Sequence, residues 1–354
     1  MKSRFFLLIL FTSISNIVNS QVVLNADGTT DTYSLINTVL ANPNRNVVEV
    51  PDCNHEIFGD HITQEYDNDL KKNVFLFHIH VTPDNDRCKK FDRQRNEIKT
   101  YKDSPENLKA TIGETVAYKW KFKLPKNFKP SSSFTHIHQI KAVGGPYASI
   151  PMISLTLRKG NPDKLELRYT PTKSQKTLDK VNLDLLKGNW IEVTEVIKFD
   201  NSGSYSIEIK NVENEKILFS YKNSPLDTWQ DGADFARPKW GIYRSLKNKQ
   251  DLQDEILKYA NFSIEEIKDV VPVDVLKAKA ERILLMSNSS NEIVFNNSGK
   301  YDAIELFDNS GRKISIEKRI NKNKLNVSGF SKGLYFIVFK KDTLVNKVLK
   351  CYVK

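Results

Sequence analysis

Three short segments carry side chains able to move a proton and hold an anion. In RQRNEIKTY the alternate residues Arg95, Glu97 and Lys99 fall on one face of an extended strand, with Ile98 on the other. In FTHIHQIK, His136 and His138 share a face and Ile137 points away; in RPKWGIYRS, Lys239, Gly241 and Tyr243 oppose the apolar Trp240 and Ile242. A fourth segment, YKWKFKL, alternates Lys119, Lys121 and Lys123 with Trp120, Phe122 and Leu124, a pattern that by itself describes a solvated face over a buried one. A sheet that brings these segments together presents Arg, Glu, Lys, two His and a Tyr on one surface. An Arg beside a Glu on that surface is oriented by a charge-assisted bond.

That set suits β-elimination from a uronic acid. A base removes the proton on C5, next to the carboxylate, and the oxygen on C4 leaves with a proton from an acid. The C5 proton is weakly acidic, so cations and hydrogen-bond donors must stabilise the charge that builds on the carboxylate. A neutral His accepts a proton near pH 7, and a Tyr donates one to the leaving oxygen or, deprotonated, serves as the base. Arg and Lys supply a fixed positive field. The elimination itself requires no metal or organic cofactor. A non-catalytic module that binds acidic glycan would use the same face, and it is the rival reading. A two-carboxylate hydrolase is weaker, because the face offers only Glu97 as an acid.

The elements that must position these residues are strands. The chain has 354 residues, 39% hydrophobic and 27% charged, enough for one large or two modest domains. Residues 1–20, MKSRFFLLILFTSISNIVNS, pair a basic start with an apolar run and a small-residue end, which reads as a secretory leader. No later stretch has the roughly 18 apolar residues of a membrane span. Residues 21–267 show short alternating runs between Gly, Pro, Asn, Asp and Ser clusters. They predict an all-β domain of about eleven strands with one helix near Tyr33–Ala41, arranged as a two-sheet jelly-roll sandwich. Residues 268–281 form a linker, and 282–354 a small second β-sandwich with a turn at Asp308-Asn309-Ser310-Gly311.

Charge is informative once divided. The 54 Lys and Arg exceed the 43 Asp and Glu, but 14 and 6 of these lie in residues 282–354 and two Lys/Arg lie in the first twenty, so the middle carries 38 against 37. A global basic field for nucleic acid is absent, and an anionic ligand must be met by local cations.

The series R-x-E-x-[RK], then [QH]-x-H, then K-x-G-x-Y, here Arg95 to Lys99, His136 to His138 and Lys239 to Tyr243, resembles the three signature strands of the jelly-roll polysaccharide lyases that act on alginate, glucuronan and heparin-like polymers. The resemblance covers roughly Asn54 to Ile264. By position it implies His138 as catalytic histidine, Tyr243 as acid or base and Arg95 as a carboxylate neutraliser, with Lys239 holding the carboxylate. Glu97, Lys99 and Arg244 would orient groups or grip flanking sugars. His136 stands where those families carry a neutralising Gln, while Gln139 follows on the opposite face. Two registers are therefore open: His136 takes the neutralising role beside His138, or Gln139 and Lys141 define the working face, with Lys141 a substrate contact.

The C-terminal stretch Tyr301 to Lys350, with its D-x-x-G-[KR] turn and G-[LV]-Y strand, resembles the sorting domain of type IX secretion. It implies export through the periplasm to the cell surface or medium, with the type IX machinery as partner. Cys53 and Cys88 would lie in an oxidising compartment where they are able to pair. The lyase resemblance also implies a structural calcium, with Glu49, Asp52 and Asn261 as candidate ligands. Separately, His78 and His80 followed by Asp84, Asn85 and Asp86 read either as metal donors or as an ordinary turn after a strand.

Overall fold

The computed structural model describes residues 21–267 without a break and, beyond them, residues 285–288, 292–295, 303–308, 313–314, 320–321, 324–331, 333–341 and 344–353. The expected leader and linker lie outside the described residues. The chain divides into two compact units between residues 268 and 269.

The first unit runs β1 (Val22–Leu24), α1 (Thr32–Leu40), β2 (Val48–Glu49), β3 (Ile62–Asp67), β4 (Lys72–Ile79), β5 (Arg93–Lys99), β6 (Thr115–Lys123), β7 (Thr135–Val143), β8 (Ile153–Arg158), β9 (Lys164–Tyr169), β10 (Lys176–Asn182), β11 (Trp190–Lys198), β12 (Gly203–Asn211), β13 (Ile217–Leu226), β14 (Phe235–Ser245) and β15 (Glu255–Glu266). The strands form two antiparallel sheets. One has the order β13-β12-β11-β6-β15-β4-β3, with β1 on β15; the other is β10-β9-β8-β7-β14-β5-β2. This is the jelly-roll sandwich that the alternating runs imply. The helix starts where the Asp31 carboxylate accepts the Ser34 N–H, and it buries Ile36 and Leu40.

Strand β6 shows how the pattern becomes a layer. Its Val116, Tyr118, Trp120 and Phe122 are buried between the sheets, where each large apolar side chain contributes about 1.5–3 kcal/mol. Lys121 and Lys123 turn outward, to Glu192 on β11 and to Asp69. These lysines belong to the sheet opposite β5, β7 and β14, so they take no part in the cationic surface those three strands build. Across the sandwich Trp240 meets Trp120 edge to face, with ring centroids 6.1 Å apart.

The second unit has two four-stranded sheets. One holds Leu285–Asn288, Glu292–Phe295, Lys324–Asn326 and Ile320–Asn321; the other holds Lys313–Ile314, Ala303–Asp308, Gly333–Lys341 and Leu344–Val353. Leu306, Leu325, Ile337 and Phe339 are buried in its core. The turn after Asp308 lies outside the described residues.

Candidate active site

Strands β5, β14 and β7 are consecutive in one sheet, so the three signature segments become neighbours. Tyr243 lies opposite Arg95 and Lys239 opposite Lys99 on one side of β14; on the other side Lys239 faces Gln139 and Tyr243 faces His136. Gly241 sits between them with φ +132, and a Cβ there would come within 2.2 Å of the Asn96 carbonyl oxygen. The glycine of K-x-G-x-Y is thus required for β5 and β14 to approach.

The register breaks at one point. Between Trp240 and Tyr243 on β14, and between His136 and His138 on β7, the pairing shifts by a residue, the mark of a β-bulge. Tyr259 of β15 reaches across the core to this point, its hydroxyl 2.8 Å from the Gly241 carbonyl oxygen and 3.1 Å from that of Ile137. The bulge resets the alternation of β7. Ile137 and His138 are both wholly buried, while His136, Gln139 and Lys141 line a groove on the outer face.

This corrects the placement of His138 that strict alternation gives. Its imidazole is 0% exposed; Nδ1 lies 3.0 Å from the Lys239 carbonyl oxygen and Nε2 2.8 Å from a Glu195 carboxylate oxygen, with the Trp120 ring 4.2 Å away. His136 and the pair Gln139 and Lys141 were alternatives in a regular strand, yet the bulge puts all three on the groove. Arg244 also turns inward, donating to the Gln94 side chain at 2.7 Å and the Gln253 carbonyl at 2.9 Å, and does not line the groove.

The groove has a volume of about 400 Å³. Five cations line it, Arg87, Lys90, Arg93, Arg95 and Lys141, against the single carboxylate of Asp86. Phe134, His136, Gln139 and Tyr243 complete the wall that concerns the chemistry. The Arg95 guanidinium lies 3.6 Å from the Tyr243 ring centroid, its Nε donates to Asp86 at 2.9 Å, and it also pairs with Glu97. Arg93 donates to the Tyr243 hydroxyl at 3.0 Å. Phe134 stacks on His136, with centroids 5.0 Å apart, and packs equally close to Tyr243.

Behind this wall lies a buried ionic cluster. Lys239 donates to both Glu49 and Glu97, Lys99 donates to Glu49 at 2.8 Å, and Gln139 donates to Glu97. Lys239, Lys99 and Glu97 therefore support the groove without lining it. Burial works against the Glu97 carboxylate, but Lys239 and Arg95 outweigh it and hold its pKa below the ordinary range. Burial, and then the Arg95 charge, pull Lys239 down to about 8. On the groove itself, burial and the cations Lys239, Arg237 and Arg95 pull Lys141 down to about 7, and its ammonium donates to the Ser149 carbonyl at 2.9 Å. Burial, reinforced by Arg158, Arg95 and Lys141, takes His136 down to about 3, so it is neutral at physiological pH. Its Nδ1 is buried without a partner. Such a set can grip an anion, accept a proton at an amine and give one from a phenol.

Arg93 and Phe134 escaped the reading of the motifs. Arg93 was detectable, since it continues the alternation of Arg95, Glu97 and Lys99 by two residues; Phe134 precedes its strand and carried no signal. The candidate calcium ligands do not fit such an ion. Glu49 is held by Lys239, Lys99 and Arg87, Asp52 by His61 and Tyr33, and Asn261 accepts from Lys72 at 2.6 Å. These contacts satisfy the oxygens a calcium would need. Cys53 and Cys88 are joined in a disulfide.

Several solved structures resemble the chain. An endo-β-1,4-glucuronan lyase from the fungus Trichoderma reesei is 16% identical with a TM-score of 0.42, covering 59% of this chain and 89% of its own. The marine PL-14 alginate lyase from Aplysia kurodai is 14% identical with a TM-score of 0.49, over 69% and 98%. An alginate lyase from Pseudomonas aeruginosa is 12% identical with a TM-score of 0.41, over 62% and 97%. No curated protein sequence matches. Residues 287–354 match the secretion system C-terminal sorting domain, which indicates export to the cell surface or medium by the type IX system. Residues 26–259, which include every strand of the groove, match the polysaccharide lyase model, and on that match the chain belongs to the polysaccharide lyase family.

Proposed function

We propose that the enzyme cleaves a uronic-acid-containing polysaccharide by β-elimination, leaving an unsaturated sugar at the new non-reducing end. The observation that carries this reading is the concentration of charge. The first unit is nearly neutral over its length, yet its groove sets the cations Arg87, Lys90, Arg93 and Arg95 against one carboxylate, alongside Tyr243 and Lys141, an amine whose pKa is lowered to about 7. A polyanion is the natural occupant of such a groove.

In this reading Lys141, as free amine, takes the C5 proton. The electron pair of that C–H bond forms the C4–C5 double bond, the C4–O bond breaks, and Tyr243 gives its hydroxyl proton to the departing oxygen. Arg95 and Gln139, fixed by Asp86 and Glu97, donate to the carboxylate as negative charge accumulates on it. Neutral His136 adds a polar group beside it without competing for the proton. Arg87, Lys90 and Arg93 hold neighbouring acidic sugars. A two-carboxylate hydrolysis lacks its parts, because Glu97 is wholly buried in ion pairs and Asp86 is committed to Arg95 and Arg87.

The test is direct. Purified enzyme is incubated with alginate, glucuronan, ulvan, pectate and heparin while the ultraviolet absorbance of the conjugated double bond is followed. Absorbance should rise on at least one uronate polymer and stay flat on neutral glucans. Saturated products, or no absorbance on any acidic polymer, would overturn the proposal.

A further inference from the structure

Four of the six histidines gather away from the groove chemistry, around Phe58. His55 lies in the loop after β2, His61 at the entry to β3, His80 just past β4 and Asp84 in the turn that follows. One ligand atom from each of these four residues lies within 4.8 Å of all the others. The Asp84 carboxylate is the hub: one oxygen is 2.8 Å from His55 Nδ1 and 3.2 Å from His61 Nε2, and the other is 3.2 Å from His80 Nδ1.

The surroundings fix these groups in place. His61 Nδ1 is 2.7 Å from Asp52, whose second oxygen accepts the Tyr33 hydroxyl at 2.8 Å. With Nδ1 engaged on Asp52, Nε2 is the nitrogen presented to the cluster, the carboxylate–histidine arrangement that orients metal ligands. The His80 backbone N–H donates to Asp84 at 2.6 Å. The Cys53–Cys88 disulfide and a 2.5 Å bond from the Asn54 amide to the Pro83 carbonyl tie the loop of His55 to the loop of Asp84. The His61 and Asp84 side chains are wholly buried, whereas those of His55 and His80 are about a fifth exposed.

We infer that His55, His61, His80 and Asp84 bind one Zn²⁺ ion. Three imidazole nitrogens and one carboxylate oxygen make a four-coordinate donor set of borderline softness, which suits zinc and excludes calcium or magnesium with their all-oxygen shells. The ion is structural: the four protein ligands fill its coordination. It also bears on the groove through the chain itself. Two residues past Asp84, Asp86 holds the Arg95 guanidinium, and the Asn85 carbonyl accepts the Arg95 backbone N–H at 3.3 Å. Zinc at Asp84 therefore stiffens the loop that positions a groove arginine.

The experiment uses the full chain, stripped with a chelator and titrated with Zn²⁺ alone against a chromophoric competitor, with thermal unfolding followed in parallel. One equivalent should bind, raise the melting temperature, and not be replaced by Ca²⁺. His80→Asn, at the exposed side of the cluster, should weaken binding at least tenfold, and Asp52→Asn, which touches only His61 among the ligands, by about 10–100-fold. His78→Asn is the control: its ring shares the Phe58 cluster but bonds Thr63 at 2.9 Å, so it should keep full stoichiometry. No bound equivalent in the wild-type chain, or equal affinity in wild type and His80→Asn, would overturn the assignment and leave a metal-free hydrogen-bonded knot.

Discussion

Arg95 and Tyr243 are cross-strand partners, and the guanidinium carbon of the first lies over the ring of the second, 3.6 Å from its centroid. The stack consumes one face of the arginine, while its edge engages Asp86 and Glu97. A planar, forked cation is needed for all three contacts, so Arg95→Lys is not conservative here. We expect kcat/KM to fall about 10²-fold or more, the scale of losing one preorganised donor, while Arg95→Lys keeps the groove's net charge. A kinetic profile unchanged by Arg95→Lys would show that charge alone, without geometry, suffices.

Tyr243→Phe isolates the phenol proton. The ring remains to pack against Arg95 and Phe134, and only the bond from Arg93 is lost, a stability change of about 1 kcal/mol. Turnover should drop by about 10²–10⁴-fold with KM changed only a few-fold. Steady-state kinetics on the best uronate substrate, with separate measurement of oligosaccharide binding, checks this. Near-normal kcat would remove Tyr243 from proton transfer.

In the proposed mechanism Lys141 sets the pH dependence. Its pKa is lowered to about 7 by burial and by the neighbouring cations, so the amine is free above that value and charged below it. The sign for activity follows: kcat/KM should climb as pH rises through about 7 and level off above it. Lys141→Met should abolish that limb and slow the reaction by about 10²–10⁴-fold. Linkage gives an independent check on the same shift. Between about 7 and the ordinary lysine range the unfolded chain binds more protons than the native one, so this residue's contribution to stability rises with pH there. Denaturant unfolding should show a shallower rise for Lys141→Met over that window. An activity limb that survives in Lys141→Met would belong to another group.

For His138 the expected consequence is structural. Its imidazole is buried against Glu195, whose other oxygen accepts from Tyr205 at 2.8 Å. His138→Leu leaves a buried carboxylate short of a partner, at a cost of about 3–5 kcal/mol. Replacing both residues, as His138→Leu with Glu195→Leu, should recover only part of that loss, because the buried Tyr205 hydroxyl then lacks its acceptor, at a cost of about 1–3 kcal/mol. Urea unfolding measures the stabilities, and rates normalised to folded protein should stay within a few-fold of wild type. Complete loss of turnover in well-folded His138→Leu would reinstate a catalytic role.

The strands, the helix and the three signature segments were legible because alternation and turn residues report directly on which face is buried. Ile98, Trp240 and Ile242 fell where period two puts them, and Tyr243 lines the groove as its motif implied. The alternation failed at His138 because a bulge sets Ile137 alone against Gly241 and Ile242 of β14 and gives β7 one residue more than β8, and the stabilising partner of that bulge, the Tyr259 hydroxyl, comes from a strand more than a hundred residues away in the sequence from Ile137. No local pattern encodes it. The histidine cluster was half legible: His80 and Asp84 stand close in sequence, but His55 and His61 are delivered by a separate loop. Strands β1, β2, β3 and β10 were passed over because they are short or mostly polar edge elements without clean alternation.

The disulfide gives the last expectation. Cys53 and Cys88 are 35 residues apart in sequence, and closing a loop of that length restricts the unfolded chain by about 4 kcal/mol in the chain-entropy treatment. The bridge also fastens the loop of Asp52 and His55 to the loop running from Asp84 to Asp86. Cys53→Ser with Cys88→Ser should therefore lower the unfolding free energy by about 2–4 kcal/mol. Because Asp86 holds Arg95, the pair of changes should also raise KM for an acidic polymer more than it lowers kcat, since the groove cations lose their fixed positions while Tyr243 and Lys141 stay on their strands. Chemical denaturation with and without reductant, beside kinetics under the same conditions, separates the two effects. Equal stability of reduced and oxidised enzyme would mean that the loops are held by their hydrogen bonds and histidine contacts alone.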